Sequence, residues 1–248
     1  MTDPVADPVA EPSNFVLSRE ALRRLAVLDL LTDEQLHSVL VSSRVTRFPK
    51  RATVVLKGRV LDYLGFLVSG KLQAVDYLPD GKEVGLNIIQ AGRFFGELTV
   101  IDRRPRSASV IALTPAVVVQ VPGEIARTMF YQYPRVAEAM MQHLAITVRR
   151  MSDLRALQAM PNAYQRVYAL LVYMKEPGPG GLQVIDDMPT HQEVAIMVNT
   201  ARETVTRAFG RLKHGAVIEK QERRLVIHRP EVLDWLVDHP TVEVGRRV

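Results

Sequence analysis

The segment from residue 135 to residue 160 contains neither proline nor glycine, and it separates two stretches of very different texture. A run of that length reads as one long helix, stopped at Pro161 because a proline ring removes a donor and clashes with the preceding turn. Inside it Ala137, Met140, Leu144, Thr147, Met151, Leu154 and Gln158 recur at 3-4-3-4 spacing. That is a seam suited to a partner helix, and a helix packed on its own domain would use the same pattern. The dimer seam is the expectation taken forward.

Before this helix the chain reads as short strands. Thr53–Leu56, Leu64–Val68, Lys71–Tyr77, Glu83–Ile89, Ser107–Leu113 and Ala116–Val121 are β-rich runs punctuated by glycine, with Asp80-Gly81 placed for a tight hairpin turn. Short strands at such spacing predict a barrel or roll. Ahead of them, Leu22, Leu25, Leu28, Leu36, Val39 and Leu40 fall near helical spacing, and Thr32-Asp33-Glu34 marks the start of a second short helix. Residues 1–14 repeat Asp-Pro-Val-Ala, carry little to bury and read as a loose tail. The longest uncharged run, residues 107–123, is interrupted by Thr114-Pro115 and Pro122. A membrane span needs about 20 apolar residues without such breaks, so two buried strands are expected there.

Past Pro161 the pattern is a helix over Ala163–Lys175, the loop Pro177-Gly178-Pro179-Gly180-Gly181, two short helices, a hairpin of Val217–Lys220 with Leu225–His228, and a helix near Glu231–Val237. Thr190 followed three residues on by Glu193 is a capping box opening the first short helix, and Val194, Ala195 and Val198 form its apolar face. Asn199 stands where a sharp turn wants a left-handed residue. The next helix turns Val205, Ala208, Phe209 and Leu212 inward and Arg202, Glu203, Thr206 and Arg207 outward. Arginine can pair bidentately with guanine, and glutamate can accept from cytosine N4. A solvated face with an Arg–Glu pair has the same composition. The following hairpin, with Lys220, Arg223 and Arg224, is placed to lie against phosphates and tips the reading to double-stranded DNA. Residues 199–229 hold eight Lys or Arg against three Asp or Glu, so much of the net charge of +5 lies here.

The absence of cysteine excludes disulfides, thiolate zinc sites, iron–sulfur clusters and cysteine nucleophiles. It suits a reducing cytoplasm. The N-terminus lacks the basic, apolar, small-residue order of a signal peptide. No HExxH, GxSxG or Walker-type loop is present, and His191 and His214 flank the DNA-reading segment as surface residues. No catalytic or metal residues are expected, and the chain is not read as an enzyme.

Residues 92–110 combine Gly96-Glu97-Leu98 with Pro105-Arg106-Ser107-Ala108. A glycine before a helical turn frees backbone N–H groups for an anion. Arg106 could neutralise a phosphate, Ser107 could donate to it, and Glu97 could accept from a ribose hydroxyl. A surface Glu97–Arg106 salt bridge is the plain alternative.

Gly96-Glu97-Leu98 with Pro105-Arg106-Ser107-Ala108 resembles the phosphate-binding cassette of cyclic-nucleotide-binding domains. Arg202-Glu203-Thr204-Val205-Thr206-Arg207 resembles the recognition helix of the cAMP receptor protein (CRP–FNR) family. Order and spacing are similar over roughly residues 18–237. The resemblance implies an α+β chain with four parts. A disordered tail covers 1–15, an N-terminal β-roll of cyclic-nucleotide-binding type 16–133, a long dimerisation helix 134–160, and a C-terminal winged helix-turn-helix 161–248. It further implies a cytoplasmic homodimer that regulates transcription from a palindromic site, with RNA polymerase as a further partner and no membrane. The implied ligand is cAMP, with cGMP or cyclic di-GMP as alternatives, held by Gly96, Glu97, Leu98, Arg106, Ser107 and Ala108; a regulator with a vestigial pocket that binds DNA constitutively is the other alternative, against which the intact Glu97, Arg106 and Ser107 argue. Base contacts would fall to Met151 and Ser152, where the family has a Thr-Ser pair. Ala201 stands where many relatives carry serine, and Thr99 replaces a small residue.

Overall fold

A computed structural model describes residues 11–12, 18–77, 83–222 and 224–242. They form two compact units, Met1–Ile146 and Thr147–Val248. Asp80-Gly81 and Arg223 lie outside the described residues.

The N-terminal unit runs β1 (Glu11–Pro12), α1 (Arg19–Leu22), α2 (Asp33–Ser42), β2 (Arg44–Phe48), β3 (Thr53–Val55), β4 (Tyr63–Ser69), β5 (Lys71–Tyr77), β6 (Glu83–Gln90), β7 (Phe94–Phe95), α3 (Glu97–Asp102), β8 (Ser109–Ala112), β9 (Ala116–Pro122), α4 (Gly123–Gln132) and the start of α5 (Pro134–Gln158). Its strands make two antiparallel sheets, ordered β1-β2-β9-β4-β7 and β3-β8-β5-β6. The period-2 rule explains the layering. On β9, Ala116 and Val118 join Phe48, Leu67, Leu72, Phe95 and Val110 in a core between the sheets. Val119 and Val121 face the other way, joining Leu64, Phe66 and Phe94 under residues of α1, α2, α4 and α5. Thr32 caps α2 through a reciprocal bond with Gln35.

In the N-terminal unit β1, β2 and β7 escaped the sequence reading. β2 is buried at alternate positions despite Arg44 and Arg47, and β7 is only Phe94–Phe95. Glu11 and Pro12 pair with Arg47 and Thr46, so the end of the stretch read as a loose tail is tied to a sheet edge.

The C-terminal unit continues with α6 (Ala163–Met174), β10 (Glu176–Pro177), β11 (Gln183–Ile185), α7 (His191–Met197), α8 (Arg202–His214), β12 (Ile218–Gln221), β13 (Arg224–Ile227) and α9 (Pro230–Asp238). Its sheet order is β10-β11-β13-β12. Tyr168, Leu170, Val194, Val205, Phe209, Leu212, Leu225 and Leu233 share its core.

Helix α5 ends at Gln158, near the expected stop, yet the units divide within it and not at Pro161. Its expected seam needs correction. Met140 is buried and Leu144 packs in the N-terminal unit's own core, beside Val136. Leu154 and Leu157 pack in the C-terminal unit's core. The apolar residues left outward are Met141, Ile146, Val148 and Met151, each more than 60% exposed. An a/d pattern reports that a face is covered without saying by what. Met140→Ala is therefore expected to cost about 2–5 kcal/mol of stability, by the same amount at high and low protein concentration. Denaturant unfolding at two concentrations is the measurement; a decrement that vanishes on dilution would return Met140 to an intermolecular seam.

Candidate functional site

In the N-terminal unit, Arg106 follows the turn after α3 and its backbone is clamped on both sides. Its N–H donates to Arg59 O and its carbonyl accepts from Gly58 N, both at 2.9 Å. The side chain is consequently carried inward and is only 4% exposed. Nη2 donates to the backbone carbonyl of Tyr63 at 2.7 Å. The guanidinium lies 4.5 Å from the centre of the Tyr63 ring. Nε and Nη1 are buried without a hydrogen-bond partner. Burial pushes the Arg106 pKa down, opposed by the nearby Tyr63, Glu97 and Asp62. Burial also pushes the Tyr63 phenol up.

Unpaired donors of a buried cation are expensive, which is the mark of a group kept for an external anion. The alternative surface salt bridge is not formed: among the described residues no Glu97–Arg106 ion pair exists, and Arg106 is not at the surface. Gly96 sits over the guanidinium at φ +84°, and a Cβ there would collide with Nη1. Glu97 is half-buried, Leu98 is 45% exposed, Ser107 is exposed and Ala108 half-buried. The structure thus gathers Gly96, Glu97, Leu98, Arg106, Ser107 and Ala108 along one loop–helix–loop segment. α3 spans only six residues, and of the three arginines that follow its last residue only Arg106 is carried inward, Arg103 and Arg104 being exposed. Met151 and Ser152 belong to the C-terminal unit's share of α5, with Met151 exposed and Ser152 Oγ donating to its own helix at Val148 O.

Three residues here carried no earlier assignment. Tyr63 supplies both carbonyl and ring to Arg106. Asp62 and Arg127 form a bidentate pair, 2.8 Å on each arm, and that guanidinium holds the Asp62 carboxyl below its usual range. A lone Tyr at the start of a strand, or an Asp just before it, carries no sequence signal for such a role.

In the C-terminal unit the helix-turn-helix follows its local chemistry. The Thr190–Glu193 capping box is reciprocal, and Asn199 takes φ +49°. Val205, Ala208, Phe209 and Leu212 are buried, leaving Arg202, Glu203, Thr206 and Arg207 exposed on α8. Arg166, unassigned earlier, pins the turn: Nε donates to Val198 O, Nη2 to Asn199 O and Nη1 to Met160 O. Thr206 Oγ1 donates to Arg202 O and meets His191 Nδ1 at 3.0 Å. Because the hydroxyl proton is already used, His191 must donate through Nδ1. Burial, with Lys220, Lys213 and Arg202 nearby, holds the His191 pKa below its ordinary value. Lys220 is exposed on the wing of β12 and β13, whereas Arg224 is engaged by Asp186.

Gly96→Ala is expected to unseat the Arg106 guanidinium, since both the positive φ and the missing Cβ are required there. Calorimetric titration with cyclic nucleotides should show any affinity of the wild type lost as fully as in Arg106→Leu, with the fold retained; unchanged affinity would mean Arg106 does not meet the ligand in this position.

Comparison with known proteins covers the same two units. A family described as "Cyclic nucleotide-binding domain" matches residues 45–133, and one described as "Crp-like helix-turn-helix domain" matches residues 165–235. The chain is 27% identical over 218 residues to the CRP-like cAMP-activated global transcriptional regulator of Mycobacterium tuberculosis, covering 86% of this chain and 97% of that protein. It is 24% identical over 205 residues to the global nitrogen regulator of Synechocystis, covering 80% and 91%. A solved CooA variant from Carboxydothermus hydrogenoformans shares the fold with a TM-score of 0.66 at 18% identity, over 81% of this chain and 90% of that one. These relatives are regulators and not enzymes, and no described helix is long and apolar enough to cross a membrane. With a cyclic-nucleotide-binding domain followed by a Crp-like helix-turn-helix, the chain belongs to the CRP–FNR family of transcription regulators.

Proposed function

We propose that this regulator is a cytoplasmic homodimer that takes cAMP in its N-terminal unit and then binds a palindromic DNA site. The observation that carries the ligand reading is Arg106, a buried cation with two unpaired donors beneath Gly96. A cyclic phosphate supplies the missing acceptors, Ser107 adds a hydroxyl, and Glu97 accepts from the ribose. The mycobacterial relative is named as cAMP-activated, which favours cAMP over cGMP and cyclic di-GMP.

For DNA, Arg202, Glu203 and Arg207 on the exposed face of α8 read base edges in the major groove. Lys220 contacts phosphate from the wing. Thr206 is a weaker base contact than its position suggests, because its hydroxyl is occupied by Arg202 O and His191. Arg224 likewise contributes little, its charge being met by Asp186. The promoter-bound dimer would present itself to RNA polymerase.

A second copy covers the outward residues of α5. Met141, Val148 and Met151 recur at helical spacing, and a two-fold dimer sets two recognition helices about 34 Å apart, as a palindrome requires. Val148→Arg is therefore expected to dissociate the dimer in sedimentation without lowering monomer stability, because Val148 packs in neither core. A dimer that survives this substitution would place the interface elsewhere.

Ligand and DNA must then be coupled reciprocally, each raising the other's affinity by the same factor, typically ~5–150-fold. The experiment is calorimetry with cAMP, cGMP and cyclic di-GMP, and DNA affinity with and without ligand for wild type and Arg106→Leu. The expected result is cAMP binding that strengthens DNA binding, both lost in Arg106→Leu. A full response retained in Arg106→Leu would mean that the cassette is not the sensor.

A further inference from the structure

Arg106 owes its direction to the backbone at Asp62 and Tyr63, and that backbone is held from outside the cassette. Arg127 of α4 places Nη1 and Nη2 on the two carboxylate oxygens of Asp62, at 2.8 Å each. Gly123, at the head of the same helix, donates its N–H to Asp62 O at 2.9 Å. A Cβ at Gly123 would collide with the Asp62 carboxylate, so the close approach depends on a residue without one. The next carbonyl along, Tyr63 O, accepts from Arg106 Nη2. Arg127 also reaches Val100 O in α3 at 3.5 Å, and Tyr131 of the same helix reaches Ile101 O at 3.4 Å. One helix thus grips both the strand that aims the arginine and the short helix beside it.

We infer that Asp62 and Arg127 are positioning residues for the anion site, their bidentate pair fixing the Asp62–Tyr63 backbone that orients the Arg106 guanidinium. An ion pair with one partner half exposed gives only modest stability. Its position, one residue from the carbonyl that accepts from a buried cation, gives it a directional role instead. With the pair broken, the Gly123 bond and the β4–β9 pairing remain, but the Tyr63 carbonyl is held less firmly, and Arg106 gains alternatives to the pose in which Nε and Nη1 face the ligand. The cost falls on anion affinity more than on the fold. This inference rests on the reading of Arg106 as the phosphate ligand, and it can be tested apart from it.

The test uses the full chain with nitrogen-15 label in arginine. Water exchange of the Arg106 Nε–H is measured without ligand, and cAMP affinity is measured separately, for wild type, Arg127→Gln, Asp62→Asn and Arg127→Lys. The expected result is Nε–H exchange faster by about tenfold in Arg127→Gln and Asp62→Asn, at a melting temperature near that of wild type. cAMP affinity should fall by roughly tenfold, as for coupled members of one network. Arg127→Lys, which retains one ion pair, should recover part of both. Wild-type exchange and affinity in Arg127→Gln would overturn the inference, and so would exchange accelerated across the whole unit, since that marks a purely structural role. Should wild type bind no cAMP while Arg106 exchange still responds to Arg127→Gln, the nucleotide reading falls and the positioning role stands.

Discussion

A guanidinium buried with two of its N–H groups unpaired is the constraint around which the N-terminal unit is arranged. Taking a charge from water without full compensation costs several kcal/mol, so the surroundings must hold Arg106 in place against that cost. Backbone bonds to Arg59 and Gly58 carry its main chain inward, the Tyr63 ring and carbonyl receive the charge, and Gly96 leaves the space it occupies. Each of these is a sacrifice of sequence freedom for a group that adds nothing to the core. An apolar residue of similar volume would be cheaper to bury there.

The long helix illustrates a different economy. Its first turns complete one unit's core through Val136 and Met140, and its last turns complete the other's through Leu154 and Leu157. Between them Met141, Ile146, Val148 and Met151 remain outward. The heptad read from the sequence mixed these sets, because Met151 lies within about 20° of Met140 around the helix, and one stripe is covered in the early turns and left outward further along. Period alone identifies a helix that is covered on one side. It says nothing of whether the cover comes from the same chain.

In the C-terminal unit, local chemistry and tertiary packing agree, which is why that region was legible in detail. The Thr190–Glu193 box, the left-handed Asn199 and the inward set Val205, Ala208, Phe209 and Leu212 are all short-range signals, and each is found in place. What packing added was the supporting layer. Arg166 donates to carbonyls at Met160, Val198 and Asn199, satisfying backbone groups that the sharp turn leaves without helical partners.

Read alone, the sequence was enough to define the β-rich half, the long helix, the winged helix-turn-helix and the cassette from Gly96 to Ala108. These rest on periodicity, capping and turn chemistry acting over a few residues, and on motifs whose members lie close in the chain. Tertiary structure alone decided which face of α5 is outward, that Arg224 is engaged by Asp186, and that Tyr63, Asp62 and Arg127 stand behind Arg106. Asp62 and Arg127 are 65 residues apart, and a contact of that kind leaves no periodic trace in either segment. It exists only because the antiparallel pairing of β4 with β9 brings the start of one strand beside the end of the other, where α4 begins.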